Sequence, residues 1–334
     1  MINLYDNDRV LIIHHWDCDG LCAAALLIKY LSALNSNIEI YTGLGEIGKY
    51  YFTSEKIKEF KKLKPGHIII CDFAIPREDI LKLKDISNSI YVFDHHEQDE
   101  IKEVVHINPL TKKDISGLKY PSAGWVVNEY FRRPQEILAA LGAIGDQEEI
   151  LKKDKRVTDI LNKNNLNFDQ AQEIVKNIDS SYIINDEKQI KWIVDLLARD
   201  KNKIKKLLKN RKLLISRQKI ENAIESIIES GYTKDDDRQI IYKKYKSEFH
   251  IISNITRELA KKFSDYLIIV INNSKKEDSN IYFRNRKGLN LVPLIELAHN
   301  YGFNSGGKKE VVGVILPESS ISGFLEEAIN ILNI

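Results

Sequence analysis

Three short apolar runs near the start of the chain each end in groups that bind protons or metals. Val10-Leu-Ile-Ile13 runs into His14-His15-Trp16-Asp17-Cys18-Asp19-Gly20, His67-Ile-Ile-Ile70 into Cys71-Asp72, and Ser89-Ile-Tyr-Val-Phe93 into Asp94-His95-His96. Continuous apolar runs this short suit strands buried on both faces, as in a parallel sheet covered by helices. Ligands of such sheets gather just outside the carboxyl ends of the strands. The pattern therefore predicts one polar cluster assembled from three strand ends.

Helical spacing between these runs predicts helices at Leu21–Leu34 and Ser54–Leu63 and a short one near Arg77–Leu83, with further strands at Ile38–Thr42 and Val104–Ile107. This βαβ rhythm predicts an α/β fold whose N-terminal domain, residues 1–180, is built on a largely parallel sheet. Ser122, after the turn Gly117-Leu-Lys-Tyr-Pro121, is a predicted N-cap, and beyond it the pattern is almost wholly helical. Residues 186–229 contain no Gly or Pro, and a long helical linker is expected over 181–235. Gly231-Tyr-Thr-Lys-Asp-Asp-Asp237 breaks the helical run. Strands at Gln239–Tyr242, Tyr266–Ile271, Asn280–Arg284 and Glu310–Leu316, with helices at Asn254–Phe263, Leu291–Tyr301 and Gly323–Leu332, then predict a smaller C-terminal α/β domain over 236–334.

The chain has 334 residues, 43% hydrophobic and 29% charged, which excludes a disordered protein. No apolar run approaches the ~20 residues that span a membrane. Met1-Ile-Asn-Leu-Tyr-Asp6 lacks the basic head and long apolar stretch of a signal peptide, so a cytoplasmic location without a membrane partner is expected. Cys18, Cys22 and Cys71 are too sparse for a disulfide framework or a paired zinc site and are expected to be small buried thiols. Net charge is only +2, yet ten Lys or Arg stand against the single acid Asp200 between Arg199 and Lys219. Such a block either attracts nucleic-acid phosphates or forms a solvated helix face, and the sequence leaves both open.

Asp17 and Asp19 lie two apart beyond a strand, so in an extended segment both carboxylates face one side. Gly20 permits a tight turn into the following helix. Like charges held close are costly unless a cation intervenes. Asp72 adds a further acid, Asp94-His95-His96 a mixed oxygen and nitrogen set, and Gly142-Ala-Ile-Gly145-Asp146 another acid after a small-residue turn. Imidazole plus carboxylate suits a transition metal such as manganese. A donor set this large suits two ions, the arrangement that drives in-line displacement at phosphorus. An Asp-x-Asp or a His-His pair alone is usually capping or packing; the conjunction of three strand ends makes the case. Glu148 and Glu149 are alternatives to Asp146, and His14 is expected beside the ligands rather than among them. Gly43-Leu-Gly45-Glu-Ile-Gly48 lacks the apolar helix that a dinucleotide-binding loop requires.

Taken in order, His15-Trp-Asp17-Cys-Asp19-Gly20, Cys71-Asp72, Asp94-His95-His96, Ser122-Ala-Gly124 and Gly142-Ala-Ile-Gly-Asp146 resemble the successive motifs of the DHH phosphoesterase superfamily. Tyr282-Phe-Arg284-Asn-Arg286 and Ser305-Gly306-Gly307-Lys308-Lys-Glu-Val-Val-Gly313 resemble the arginine strand and glycine-rich loop of the DHH-associated domain. The resemblance covers nearly the whole chain and is nearest to the archaeal RecJ-like nucleases. It implies a DHH domain, a helical linker and an associated substrate-binding domain. It implies two manganese ions, with magnesium as a substitute: Asp17 with His15 at the first, Asp19, His95 and Asp146 at the second, and Asp72 bridging them. Asp94 would support an imidazole and His96 would face the scissile phosphate, while Arg284, Arg286, Ser305, Gly306, Gly307 and Lys308 would bind the terminal nucleotide. The implied activity is an exonuclease hydrolysing single-stranded DNA or RNA to mononucleotides. The alternative is a phosphodiesterase or phosphatase for nanoRNA, cyclic dinucleotides or 3′-phosphoadenosine 5′-phosphate. Implied partners are single strands or short oligonucleotides and a replication or repair protein. The chain departs from the superfamily at Lys308, where a histidine is usual, at Ser305 for the first glycine, and at Val311-Val312 for a pair of alanines.

Overall fold

The computed structural model describes residues 2–334 except 88, 113, 114, 200, 274–277, 286 and 287, and gives the backbone alone at 148, 149 and 201–203. Two compact units divide the chain, Met1–Arg217 and Gln218–Ile334.

The first unit opens with β1 (Arg9–His14), α1 (Cys18–Leu34), β2 (Glu39–Leu44), α2 (Ser54–Lys62), β3 (His67–Cys71), α3 (Arg77–Lys82), β4 (Ser89–Phe93) and β5 (Val105–Ile107). The five strands form one sheet in the order β2-β1-β3-β4-β5, every pairing parallel. Val10–Ile13 and Ile68–Ile70 are fully buried, as befits inner strands covered on both faces. The register sets His14 beside Cys71 and Cys71 beside Phe93. Three strands therefore end at one level, and the residues that follow them emerge side by side.

The remaining helices of this unit are α4 (Ala123–Tyr130), α5 (Ile137–Gln147), α6 (Lys155–Lys163), α7 (Phe168–Ile183) and α8 (Glu187–Arg199). Helix α1 is buried along Cys18–Leu27, and its three consecutive alanines let α4, α5 and α8 pack closely around it. Ile190, Ile193, Val194 and Leu197 of α8, with Leu207 and Leu213 beyond it, join the same apolar core. The stretch expected to act as a connector thus begins inside the first unit's core. Helix α9 (Arg211–Glu229) carries the boundary between the units.

The second unit contains β6 (Thr233–Asp235), β7 (Ile240–Tyr245), α10 (Ile252–Lys262), β8 (Leu267–Asn272), β9 (Asp278–Arg284), α11 (Pro293–Asn300), β10 (Asn304–Lys308), β11 (Val311–Pro317) and α12 (Ile321–Leu332). Its sheet runs β10-β11-β9-β8-β7-β6 and is antiparallel except between β7 and β8. Phe283, Leu294, Val312, Val314 and Phe324 form its core. The glycine-rich segment expected as a loop is strand β10, with Gly306 opposite Gly313 and Gly307 opposite Val312. The architecture is the α/β fold expected, a parallel-sheet unit followed by a smaller α/β unit. No helix among the described residues is long and apolar enough to cross a membrane.

Candidate metal centre

Helix α1 begins at Cys18, three residues earlier than spacing predicts, because Asp17 is its N-cap and accepts the Gly20 N–H at 3.2 Å. The first turn is therefore helical, and Asp17 and Asp19 do not share a side as an extended segment would require. Asp17 Oδ2 lies 2.9 Å from His15 Nδ1. Asp19 turns the other way, into the N-terminus of α4, where it accepts the N–H groups of Ala123 at 2.6 Å and Gly124 at 3.3 Å. Ser122 caps that helix as predicted, accepting the Trp125 N–H at 3.1 Å. The helix end favours the Asp19 charge.

Room for Asp19 comes from glycine. A Cβ at Gly142 on α5 would lie 2.1 Å from Asp19 Oδ1, and one at Gly20 would lie 2.4 Å from the His15 carbonyl oxygen. Asp146 sits in the last turn of α5, so Gly142-Ala-Ile-Gly145 is helix and not the turn its small residues suggest. Asp72, directly after β3, adopts φ 55°, and its N–H donates to the Phe93 carbonyl at 2.9 Å. A non-glycine residue in that region costs about 1–2 kcal/mol.

Asp94 is saturated by its neighbours. Its Oδ1 accepts the N–H groups of His95 at 2.7 Å and His96 at 3.2 Å and contacts His96 Nδ1 at 2.6 Å, while Oδ2 accepts Gln98 Nε2 at 2.7 Å. Asn108 Nδ2 donates to the His96 carbonyl at 2.8 Å. Gln98 and Asn108 carry no signal in the sequence, being isolated amides in loops. The His96 side chain remains 46% exposed.

The structure gathers all six predicted ligands into two overlapping groups, His15, Asp17 and Asp72 in one and Asp19, Asp72, His95 and Asp146 in the other, and a third group brings His96 to Asp72 and His95. The candidate ligand atoms of each group lie within 4.8 Å of one another, and Asp72 belongs to all three. His95 Nε2 lies 2.8 Å from Asp146, 3.4 Å from Asp72 and 3.6 Å from Asp19. Nothing is described of the side chains of Glu148 and Glu149. His14 is buried, with its Nδ1 2.7 Å from the His15 carbonyl oxygen, and burial lowers its pKa to about 4.

Crowded negative charge shapes the titration of the cluster. Burial, then the Asp146 charge, raises Asp19 to about 7. Burial followed by Asp19 and Asp17 pushes Asp72 well above the usual carboxylate range. Burial opposes a charged His95, yet its contact with Asp146 outweighs this and lifts it to about 10. Burial also opposes ionised Asp94 and Asp17, but His96 and His15 respectively draw them down to about 2. The upward shifts of Asp19 and Asp72 reflect negative charge crowded out of water, which cations would balance. The buried Nε2 of His95 makes no hydrogen bond of good geometry although three carboxylates surround it, and the buried Nε2 of His15 is likewise unpartnered. That is a costly state for a polar atom. Mixed imidazole and carboxylate donors with unspent nitrogens fit divalent ions of the manganese and magnesium class.

In the second unit, Arg284 ends β9, with its Nε 3.4 Å from Thr256 Oγ1. Arg284 lies opposite Val311, and Val311 opposite Lys308, so these residues share one face of β9-β11-β10. On the same face Tyr282, Gly313 and Gly306 are aligned, and a Cβ at Gly313 would meet the Tyr282 ring at 2.8 Å. Ser305 alternates to the other face and donates to the Ile295 carbonyl at 3.3 Å, apart from Arg284. Gly307 adopts φ 148°, and a Cβ there would lie 2.2 Å from the Val311 carbonyl oxygen. Arg286 lies outside the described residues.

No curated protein sequence matches this chain. Residues 9–145 match the DHH family, N-terminal domain. Among solved structures, the chain is similar to a DHH-domain protein described as a member of the s1p family of ribosomal proteins, with TM-score 0.74 and 15% identity over 97% of this chain and 86% of that one. It is similar to RecJ in complex with Mn2+ from Thermus thermophilus, with TM-score 0.69 and 16% identity over 98% of this chain and 52% of that one. It is also similar to the pGpG-specific phosphodiesterase PggH from Vibrio cholerae, with TM-score 0.54 and 14% identity over 98% and 99% of the two chains. At such identities the likeness establishes the fold. The family match covers residues 9–145, and the whole chain shares its fold with these DHH-domain and RecJ structures.

Proposed function

We propose that the chain is a manganese-dependent phosphodiesterase of the RecJ-like exonuclease type, removing mononucleotides from one end of single-stranded DNA or RNA. One observation carries this reading: a single carboxylate, Asp72, belongs to every candidate ligand group at the three parallel strand ends and joins the His15–Asp17 side to the Asp19–His95–Asp146 side. His15, Asp17 and Asp72 would hold one ion and Asp19, Asp72, His95 and Asp146 the other, with magnesium as a substitute. Such ions, when bound, activate water for in-line attack on phosphorus and neutralise charge on the phosphoryl oxygens.

The chain's own groups do the rest. Asp94 fixes the His96 ring through Nδ1 and leaves Nε2 to face the substrate. Burial disfavours a proton on His96, but the neighbouring Asp94 charge outweighs this and holds it there. A protonated His96 would donate to the charge that develops on the scissile phosphate. Gln98 and Asn108 hold this pair in place from behind. In the second unit, Arg284, Gly306, Gly307 and Lys308 would bind the phosphate and sugar of the terminal nucleotide, with Arg286 as a further member of that group, whereas Ser305 faces away from Arg284. Partners of this activity would be single strands and the replication or repair proteins that expose them.

A second reading, a phosphodiesterase confined to very short substrates such as dinucleotides, is favoured by the near full-length overlap with a pGpG-specific enzyme. Strands labelled at the 5′ end or the 3′ end, in a graded ladder of lengths with manganese, separate the two. Stepwise shortening of long strands is the expected result. Turnover of the shortest oligonucleotides alone would establish the second reading, and no manganese-dependent product at any length would overturn both.

A further inference from the structure

The metal cluster is not the only concentration of charge in the first unit. Past α8 the chain forms a 3-10 helix at Lys201–Lys209 and then enters α9. Lys205, Lys206, Lys209 and Arg211 are exposed there, and among the described residues none is paired with a carboxylate. Their neighbours Lys212 and Arg217, by contrast, pair with Asp186 and Glu173. The four free cations line an open surface cavity of about 620 Å³ with Leu208 and Asn210. Leu214 and Ile215, one turn beyond Arg211 on the same side of α9, are 42% and 47% exposed.

Two hydrogen bonds tie this corner to the metal cluster. Asn177 Nδ2 on α7 donates to the Leu207 carbonyl at 2.8 Å. Asp179 Oδ1, two residues on, accepts at 2.8 Å the N–H of Cys18, the residue after Asp17. Residues two apart on a helix point to nearly opposite sides, so the corner and the start of α1 flank α7, separated by roughly its diameter of ~10–12 Å. The lysines are thus held in the same packed unit as the ligands but outside their reach.

We propose that the Lys205–Arg211 corner is a second binding site for single-stranded nucleic acid, gripping backbone phosphates several nucleotides from the bond at the metal cluster. The site favours strands over dinucleotides, because a dinucleotide at the cluster would not reach it. This deepens the phosphodiesterase reading and rests on it for the identity of the polymer. Unpaired cations crowded on a surface repel one another, and a polyanion relieves that repulsion while releasing its own counterions. The exposed Leu214 and Ile215 suit a single strand, whose unpaired bases offer apolar faces, whereas a duplex would offer phosphates alone.

The test is fluorescence anisotropy of a labelled single strand of about 20 nucleotides, bound to the full chain in excess chelator over a range of salt. A combined Lys205→Gln, Lys206→Gln, Lys209→Gln variant is compared with its Lys→Arg counterpart. The glutamine variant should bind roughly tenfold more weakly, and its log-affinity against log-salt slope should flatten by about 2, for three lost contacts at ~0.7 each. The arginine variant should match wild type, and manganese-supported turnover of a dinucleotide should be unchanged in both. Unaltered strand affinity and slope in the glutamine variant would overturn the proposal. An equal loss on the dinucleotide, or binding to phosphatidylglycerol vesicles without binding to the strand, would overturn it too. If wild type gives no manganese-dependent product from strands of any length, the phosphodiesterase reading falls while the anisotropy measurement still decides this one.

Discussion

In the first unit β1, β3 and β4 run in one direction and end at one level, so Asp17, Asp72 and the Asp94–His96 segment converge without any long excursion. In the second unit β9, β11 and β10 alternate in direction, and Arg284, Val311 and Lys308 line up across strands rather than beyond their ends. The parallel arrangement concentrates charge out of water: Asp19, Asp72 and Asp94 are 0%, 2% and 0% exposed. The antiparallel arrangement spreads its polar groups over an edge, where Gly306, Gly307 and Lys308 are exposed. Buried like charges are tolerable only with compensation, whereas a solvated edge is nearly indifferent to its own sequence. Chemistry should therefore be brittle in the first unit and substrate preference adjustable in the second.

The largest expected effect is at Asp72. Asp72→Asn keeps the shape and tolerates the left-handed backbone, yet should lower kcat by at least ~10³-fold, because both ion sites lose a shared ligand. Manganese should raise the melting temperature of wild type and not of this variant. Gly142→Ala comes next, since its Cβ would sit 2.1 Å from Asp19 Oδ1 and displace that carboxylate. Activity should fall by roughly 10²-fold and stability by about 1–3 kcal/mol, read by turnover and by denaturant melts. Lys308→Ala should do least: an exposed point charge is worth about 1 kcal/mol or less, a rise of up to ~5-fold in KM with kcat retained. A Lys308 variant that lost kcat, or a Gly142 variant that kept it, would erase the contrast between the two sheets.

Much of this was legible in the sequence where one force acted alone. The isoleucine run bounded by His67 and Cys71 is a strand over those same residues, and Ser122 caps α4. Legibility failed where one residue serves two purposes. Asp17 is both N-cap and candidate ligand, so its role in starting α1 at Cys18 was hidden behind its role in the cluster. Gly142 and Gly145 signal a turn by propensity, but packing against α1 keeps them helical, with a Cβ at Gly145 meeting Cys18 Cβ at 3.3 Å. Strand β10 is invisible locally because Gly306 and Gly307 disfavour extended pairing, and only the partner strand β11 supplies it. The basic run likewise mixes two roles: Ile204, Leu207 and Leu213 are buried core while the lysines between them face outward.

The central claim is that one carboxylate joins two ion sites, and calorimetric titration of the purified, chelator-stripped chain with manganese tests it directly. The account predicts about two ions per chain for wild type, about one for Asp19→Asn, and weakened binding at both sites for Asp72→Asn. Binding of a single ion by wild type, or an Asp72→Asn variant that takes up manganese as wild type does, would contradict it.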